Sequence, residues 1–314
     1  MSRLRVATSL QGRADLETVM ITAKLKGSFV ALVTLFRDGK VDDKGYQDFI
    51  DWQIDQGTHG VLAMGTTGES PTLSHEEDMH VVRLAVEAAA GRVPVLAGTG
   101  SNSTDECIML TRHAREAGAD AALIVTGYYN KPTQEGLFRH FEAVNNAVDI
   151  PVVVYNIPGR TGVDIEPLTM QRIAGLSHVV GCKESTAAAD RASKQRWLCG
   201  REFIQMSGED AAVLGLLGMG GHGCISVTAN VAPALCARMH EAWQGGDCEQ
   251  AREIQNQLMP LHEALFSETS PGPVKYAASL LGWGDGSVRL PLTSPAEVTR
   301  VRVRDAMRQA GILA

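Results

Sequence analysis

Residues 121–158 read AALIVTGYYNKPTQEGLFRHFEAVNNAVDIPVVVYNIP and contain one complete strand–helix–strand unit. The runs at 121–126 and 151–158 are almost entirely apolar, which is typical of strands buried on both faces of a parallel sheet. Between these runs, residues 134–147 have the pattern of an amphipathic helix. This stretch therefore predicts an α/β fold with parallel strands.

The same alternation of strand and helix patterns continues along the chain in both directions. The other strand patterns are at 28–34, 60–65, 93–100, 178–185, 202–210 and 222–229, and further helical patterns are at 74–90 and 103–117. Eight successive repeats favour a closed (β/α)8 TIM barrel over an open doubly wound sheet. No G-x-G-x-x-G opens a helix after the first strand, which weakens a dinucleotide-binding alternative.

The strand patterns stop near residue 247, and the remaining patterns are helical. These lie at 248–267, 273–281 and 296–310. We therefore predict a barrel over residues 23–246 and a C-terminal helical appendage over 247–314 that packs on the barrel or on another subunit. Residues 1–22 lack the apolar core of a signal peptide and predict a flexible N-terminal extension.

Composition excludes several classes of protein. The net charge of −7 argues against a nucleic-acid partner, because nucleic-acid binders carry basic patches. No apolar run reaches the roughly 18 residues that a transmembrane helix needs. The six cysteines form no C-x-x-C pair or metal-ligand spacing, which predicts a reduced, cytoplasmic protein.

Lys183 is the most informative candidate for chemistry. It ends the buried-strand pattern VVGCKES, and reactive groups of (β/α)8 barrels come from the C-terminal ends of strands. Loss of hydration there favours the neutral amine, which can attack a ketone and form a Schiff base. The alternative is a structural lysine that forms a salt bridge with Glu184 or Asp210.

Other polar residues also occupy predicted strand ends. Tyr155 suits a proton shuttle beside the amine, or it caps the barrel with a satisfied hydroxyl. Arg160 has the planar fork that binds carboxylates, or it is an ordinary surface arginine. The turn GTTGES (65–70) can hold a small carboxylate on its backbone N–H groups, and Thr67 can relay protons.

Two adjacent tyrosines follow the fourth strand pattern. Tyr128 and Tyr129 cannot both face one pocket, so one of them points to a second site or another subunit, or both anchor the loop. The histidines show no metal-ligand spacing with a nearby carboxylate, which argues against a catalytic metal. Neither a nucleophile elbow nor a P-loop is present in the sequence.

Seven motifs along the chain together resemble a known family. In order they are GTTGES, AGTG, YYNKPTQEG, YNIPGRTG, GCKES, SGED and GHGCISVTAN. They are similar to the dihydrodipicolinate synthase subgroup of the pyruvate aldolase superfamily, over about residues 27–314. GRTG favours this subgroup, because relatives such as N-acetylneuraminate lyase differ after the YN pair.

The resemblance implies that Lys183 forms a Schiff base with pyruvate and that no other cofactor is needed. Tyr155, Thr67 and Tyr129 would form the proton relay, with Tyr129 reaching in from a neighbouring subunit. Thr66 and Thr67 would hold the pyruvate carboxylate. Members of the family are usually homotetramers, so the resemblance also implies this assembly.

The resemblance further implies the second substrate and the product. Arg160 would bind the carboxylate of L-aspartate 4-semialdehyde, and backbone groups of Gly208 and Ile225 would line the pyruvate pocket. The product would be 4-hydroxy-tetrahydrodipicolinate, in the first committed step of diaminopimelate and lysine biosynthesis.

Some members of the family are inhibited by lysine at a subunit interface. The residues that match this site are Ser70, His75, Asn102, Glu106 and Tyr128. Pro71 and Asp78 stand where some inhibited members carry other residues. Leu35 and Gly127 replace prolines that are common in the family, and we expect Gly127 to loosen the tyrosine loop.

Two alternatives to this function stay open at the level of sequence. One is a related sugar-acid aldolase or N-acetylneuraminate lyase, which would share Lys183 and Tyr155 but accept a polyhydroxylated substrate. The other is a regulatory barrel that binds pyruvate or lysine without turnover. A barrel of the second kind would have no need of Lys183 and Tyr155 together.

Overall fold

Eight parallel strands close into a barrel in this computed structural model, which describes residues 21–186, 188 and 190–314. The strands are β1 (Gly27–Ala31), β2 (Gly60–Ala63), β3 (Val95–Gly98), β4 (Ala121–Val125), β5 (Val152–Asn156), β6 (Val179–Glu184), β7 (Ile204–Ser207) and β8 (Gly223–Ser226). Consecutive strands pair with each other, and β1 pairs with both β2 and β8 to close the ring. The predicted (β/α)8 barrel is confirmed.

The observed strands are shorter than the predicted patterns, mainly at their C-terminal ends. The pattern at 28–34 stops pairing at Ala31, and the pattern at 202–210 stops at Ser207. The residues that follow leave the hydrogen-bonded ladder and turn into loops. These loops are the part of a barrel that carries function.

A helix follows each strand, as the repeat predicts, and β5 is also followed by the four-residue helix Pro158–Thr161. The helices are α1 (Asp43–Asp55), α2 (His75–Ala89), α3 (Thr104–Ala117), α4 (Gln134–Ala147), α5 (Pro167–Ala174), α6 (Arg191–Cys199), α7 (Val213–Gly218) and α8 (Pro233–Gln244). A small hairpin of Phe36–Arg37 and Lys40–Val41 precedes α1. Ser74 and Glu77 form a capping box at the start of α2, in which each side chain accepts from the other's backbone N–H.

The inside of the barrel is filled by large apolar side chains. Phe29, Leu62 and Ile225 are almost fully buried there, so the barrel is a packed core and not a pore. Residues 1–20 of the predicted N-terminal extension lie outside the described residues. Residues 21–24 are helical, and Ile21 is buried in the same cluster as the barrel interior.

Three further helices follow the barrel, close to the predicted positions. They are α9 (Cys248–Leu265), α10 (Gly272–Leu280) and α11 (Glu297–Gln309). Pro260 lies within α9 and does not end it. Trp283, just after α10, packs its ring 5.3 Å from Phe49 and 5.4 Å from Trp52 of α1, measured between ring centroids. The C-terminal helices therefore pack on the barrel of their own chain.

Within the described part of the chain, we find no helix that is both long and apolar enough to cross a membrane.

Candidate active site

A cavity of about 180 Å³ opens at the C-terminal ends of the strands. It contains six of the residues selected from the sequence, namely Thr66, Thr67, Tyr155, Arg160, Lys183 and Gly208. These residues come from four different strand ends and are separated by up to 142 positions, from Thr66 to Gly208. The barrel therefore brings together the residues that the sequence analysis placed at strand ends.

Lys183 lies on β6 with its side chain directed into this cavity. It is 6% exposed, and its Nζ lies 4.3 Å from the ring centroid of Tyr155. The two residues are direct partners in the pairing of β5 with β6. Because side chains alternate along a strand, Lys183 and Tyr155 point to the same face of the sheet. This places an amine beside a phenol in a nearly closed space.

The salt-bridge alternative for Lys183 finds no support. Among the described residues, Lys183 forms no ion pair with either candidate carboxylate. Glu184 accepts instead from Asn156 at 3.0 Å and from Gln195 at 2.8 Å. Burial raises the pKa of Glu184, and its amide partners satisfy the carboxylate without a lysine.

Asp210 is also used elsewhere. Its carboxylate accepts from the backbone N–H groups of Val227 at 2.9 Å and Thr228 at 3.3 Å, and from the hydroxyl of Ser226. Val227 lines the cavity, whereas the predicted Ile225 lies deeper, fully buried in β8. Asp210 therefore holds the loop after β8 against the cavity, and the role of Ile225 stays a prediction.

The Thr66–Gly68 turn forms one wall of the cavity. It lies between two left-handed residues other than glycine, Met64 with φ 54° and Glu69 with φ 61°. The hydroxyl of Thr34 donates to the Gly68 carbonyl at 2.6 Å. These constraints fix the direction in which the two threonines face the cavity.

Arg160 marks the outer rim of the cavity. It lies in the short helix Pro158–Thr161 that follows β5, and its side chain is exposed. Arg160, Thr66 and Ile157 also line a second cavity of about 360 Å³. A guanidinium there can meet an anionic group of a substrate that enters the first cavity.

Three further lining residues, one acidic, one aromatic and one with a hydroxyl group, were not among the predicted site residues. Glu209 sits between Gly208 and Asp210, and burial raises the pKa of its carboxyl, opposed by the charges of Lys183 and Arg160. Phe266 and Ser270 come from the end of α9 and the loop after it. The SGED motif contained a signal for Glu209, but no sequence pattern linked the C-terminal tail to the cavity.

The two neighbouring tyrosines separate, as the first of the two interpretations of their sequence predicts. Tyr129 has φ 69° and is 87% exposed, and it is not among the residues that line the first cavity. Tyr128 lines the second cavity instead. Tyr129 therefore points away from the site of its own chain.

The second cavity contains four of the five residues predicted for lysine. They are Ser70, His75, Glu106 and Tyr128. The fifth, Asn102, is not a lining residue, and its carbonyl accepts from Asn130 at 3.0 Å. The Nε2 atom of His75 lies 2.7 Å from the Glu106 carboxylate.

Burial affects two ionisable groups at this second cavity. Burial, with a contribution from the nearby Glu106, raises the pKa of Asp78 to about 7. The same two causes raise the pKa of Tyr128. Acidic groups therefore line the cavity, and the charge of the Asp78 carboxyl changes near neutral pH.

Neither metal nor thiol chemistry finds a candidate centre in the described residues. No group of three or more His, Cys, Asp or Glu residues in that part of the chain is arranged to hold a metal ion. The six cysteines are unpaired, and burial raises the pKa of Cys182 beside the lysine. Cys182 is thus a packing residue and a poor nucleophile.

Comparison with known proteins agrees with this geometry. The profile of the dihydrodipicolinate synthetase family matches residues 24–310. This chain belongs to that family. A 4-hydroxy-tetrahydrodipicolinate synthase from Rhodospirillum centenum is 57% identical over 288 residues, which cover 92% of this chain and 99% of that protein.

Solved structures of the dihydrodipicolinate synthetase family superpose closely on this chain. The chloride-inhibited dihydrodipicolinate synthase from Acinetobacter baumannii, complexed with pyruvate, has a TM-score of 0.90 at 43% identity and covers 92% of this chain and 100% of that chain. The enzyme from Cyanidioschyzon merolae with lysine bound has a TM-score of 0.90 at 38% identity, covering 92% and 99%.

Proposed function

We propose that this chain condenses pyruvate with L-aspartate 4-semialdehyde to give 4-hydroxy-tetrahydrodipicolinate. The observation that carries the proposal is the buried Lys183, whose Nζ lies 4.3 Å from the Tyr155 ring centroid in a cavity that Arg160 borders. Family membership and the names of the close relatives support the same activity. The chemistry needs no metal or organic cofactor.

The first half of the reaction activates pyruvate. The neutral amine of Lys183 adds to the keto carbon of pyruvate, and loss of water gives a Schiff base. The hydroxyls and backbone of Thr66 and Thr67 hold the pyruvate carboxylate in the cavity that Gly208 also lines. A proton leaves the pyruvate methyl group through Tyr155 and Thr67, and the enamine forms.

The second half joins the two substrates. The enamine carbon attacks the aldehyde carbon, and the aldehyde oxygen takes a proton from the relay. Arg160 binds the carboxylate of the aldehyde with its planar fork and so orients it. The amine of the same substrate then attacks the former keto carbon, closes the ring and releases Lys183 with its electron pair.

The proton relay is completed by a second copy of the chain. Tyr129 is 87% exposed and points away from its own site, which supports its use in a neighbour's site. Two apolar side chains, Trp197 on α6 and Leu168 on α5, are 82% and 65% exposed and offer further contact surface. We propose a homotetramer, which the family resemblance implies, and a location in the cytoplasm, which the six unpaired cysteines favour.

An assay of aldehyde choice tests the proposed reaction. With pyruvate present, we expect purified protein to consume aspartate semialdehyde and to leave sugar aldehydes such as N-acetylmannosamine unreacted. We expect Arg160→Leu to raise the KM for the aldehyde about tenfold to a hundredfold, because a charge-assisted, bidentate contact is lost. Arg139→Leu, which removes an arginine 74% exposed on α4, is the matched control and should change neither constant.

Two results would contradict the assignment. Turnover of a sugar aldehyde at a higher rate would move the chain to another branch of the aldolase superfamily. Binding of pyruvate with no turnover of any aldehyde would favour a regulatory barrel.

We also propose that free lysine binds the second cavity and inhibits the enzyme. Ser70, His75, Glu106 and Tyr128 supply polar groups for an amino acid, and Asn102 lies at the edge of the same region. The carboxylates of Glu106 and Asp78 suit a cationic side chain. The cavity shares Arg160 and Thr66 with the catalytic site, which provides a direct route for inhibition.

The acidity of Asp78 gives lysine inhibition a particular pH dependence. With a pKa of about 7, Asp78 is mostly neutral at pH 6 and mostly ionised at pH 8. We expect lysine to bind about five- to tenfold more tightly at pH 8, since a partly buried opposite charge contributes on the order of 1 kcal/mol. Isothermal titration calorimetry at both pH values measures this effect.

The control for lysine binding is Asp78→Asn. It should remove most of the change in lysine affinity between pH 6 and pH 8. Full activity of the native enzyme in millimolar lysine at both pH values would contradict the inhibition itself.

A further inference from the structure

A buried ion pair joins the catalytic face of the barrel to the C-terminal helices. Nζ of Lys275 on α10 lies 2.5 Å from Oε1 of Glu69, and the two side chains are 2% and 0% exposed. The second carboxylate oxygen of Glu69 accepts from the backbone N–H of Arg289 at 2.8 Å. Both contacts reach across more than 200 residues of sequence, from the loop after β2 to the region after α9.

Glu69 directly follows the threonine turn of the catalytic cavity. Its backbone N–H donates to the Thr66 carbonyl at 3.1 Å and so closes the Thr66–Gly68 turn. Its own carbonyl accepts from the Thr72 N–H at 2.9 Å. Any rotation of Glu69 would therefore move Thr66 and Thr67 relative to Lys183.

The backbone of Glu69 adopts a conformation that is unfavourable for a residue other than glycine. Its φ of 61° and ψ of 31° lie in the left-handed region, where a side chain with a Cβ is disfavoured. Such a residue persists only when the surrounding structure over-determines it. The contacts from Lys275 and Arg289 supply that constraint.

Stability alone does not account for an ion pair in this place. Two buried charges lose hydration, and an apolar pair of similar volume is often as stable. Lys275 also lies with its Nζ 3.7 Å from the ring centroid of Phe36, and burial lowers its pKa although Glu69 opposes the change. The ion pair is therefore favourable only in one side-chain geometry, in which Lys275 and Glu69 face each other.

We propose that Glu69 is a positioning residue, which Lys275 and Arg289 hold so that Thr66 and Thr67 face the Schiff-base lysine. The use of the threonines for pyruvate rests on the function proposed above. The effect of Glu69 on the position of the turn does not rest on that function. The positioning role and the proposed function can therefore be tested separately.

Glu69→Gln and Glu77→Gln form a matched pair of variants. Both replace a carboxylate of the same network with an amide, since Glu77 binds Arg289 through two contacts of 2.7 Å. Glu77 caps α2 and has no hydrogen bond to the threonine turn, and the bonds from Arg289 lower its pKa to about 2. Loss of Glu77 should therefore lower thermal stability without moving the turn.

Two measurements on the full-length variants separate positioning from stability. We expect Glu69→Gln to raise the KM for pyruvate at least fivefold and to speed amide hydrogen exchange in a peptide over residues 64–72. Glu77→Gln should lower the thermal midpoint and leave the pyruvate KM within twofold of the native value. The double variant Glu69→Gln/Lys275→Met, which removes both charges, should keep the native thermal midpoint and still show the raised KM.

The exchange measurement is independent of the chemistry. If Glu69→Gln folds and exchanges over 64–72 like the native protein, with an unchanged KM, then Glu69 does not position the turn. If the native protein binds no pyruvate, the proposed function fails, while faster exchange in Glu69→Gln would still support the positioning role. If Glu69→Gln does not fold, native exchange and native KM in the double variant would overturn the proposal.

Discussion

Lys183→Ala should take no label when it is treated with pyruvate and borohydride, and should lose condensation activity by about three orders of magnitude or more. Without the amine, pyruvate cannot become an enamine, and among the described residues Lys183 is the one lysine that lines the cavity. The fold should survive, because Lys183 forms no ion pair among the described residues and its removal leaves no carboxylate unpaired. Intact mass and peptide mapping read the label, and circular dichroism checks the fold.

Lys194→Ala is the matched control for this experiment. Lys194 lies on α6, the helix after the same strand, and forms an i,i+4 ion pair with Asp190 at the surface. Its loss should change neither labelling nor rate, because exposed pairs contribute little. Label that persists in Lys183→Ala would show that another amine forms the Schiff base and would end the proposed mechanism.

Gly208→Ala should lower kcat/KM about a hundredfold, because a displacement of a reacting group by roughly 1 Å slows a reaction by about this factor. A Cβ on Gly208 would lie 1.9 Å from the Ser185 hydroxyl and 3.0 Å from Cε of Lys183. Gly208 has no left-handed φ that would itself require glycine, so only the lack of space makes the change harmful. Steady-state kinetics and the yield of borohydride labelling measure the effect.

Gly215→Ala provides the comparison for Gly208→Ala. Gly215 lies seven positions further on, in α7, and a Cβ there would have no heavy atom within 4 Å. We expect native kinetics and equal or slightly higher stability, since alanine favours helices more than glycine does. Native labelling in Gly208→Ala would show that a Cβ at residue 208 does not impede the reaction of Lys183 with pyruvate.

Much of the fold could be predicted from the sequence, because buried parallel strands leave a local signal. Each of the eight apolar patterns overlaps an observed strand, and the capping residues Ser74 and Glu77 stand at the start of α2. The predicted strands were too long, since apolar residues past the last ladder bond look the same as those within it. Pairing between strands, which hydropathy does not encode, sets the true end.

The candidate site was partly predictable for a related reason. Residues at the ends of parallel strands meet on one face of a barrel, so Lys183, Tyr155 and Thr66 converge wherever the barrel closes. Phe266 and Ser270 were missed because they belong to no strand. Asn102 shows the opposite error: it was predicted for the second cavity, which Gly100 and Glu106 line, but it is not a lining residue and its carbonyl accepts from Asn130.

By itself, the sequence determined the barrel, the lysine at the end of its sixth strand and the family, because each depends on local patterns repeated in a fixed order. Only the tertiary structure decided which distant groups support the site. The pairing of Glu69 with Lys275 and the turning of Tyr129 away from its own cavity are examples. Such contacts depend on side-chain direction and on the packing of the C-terminal helices, and residues far apart in sequence meet only when the whole chain is folded.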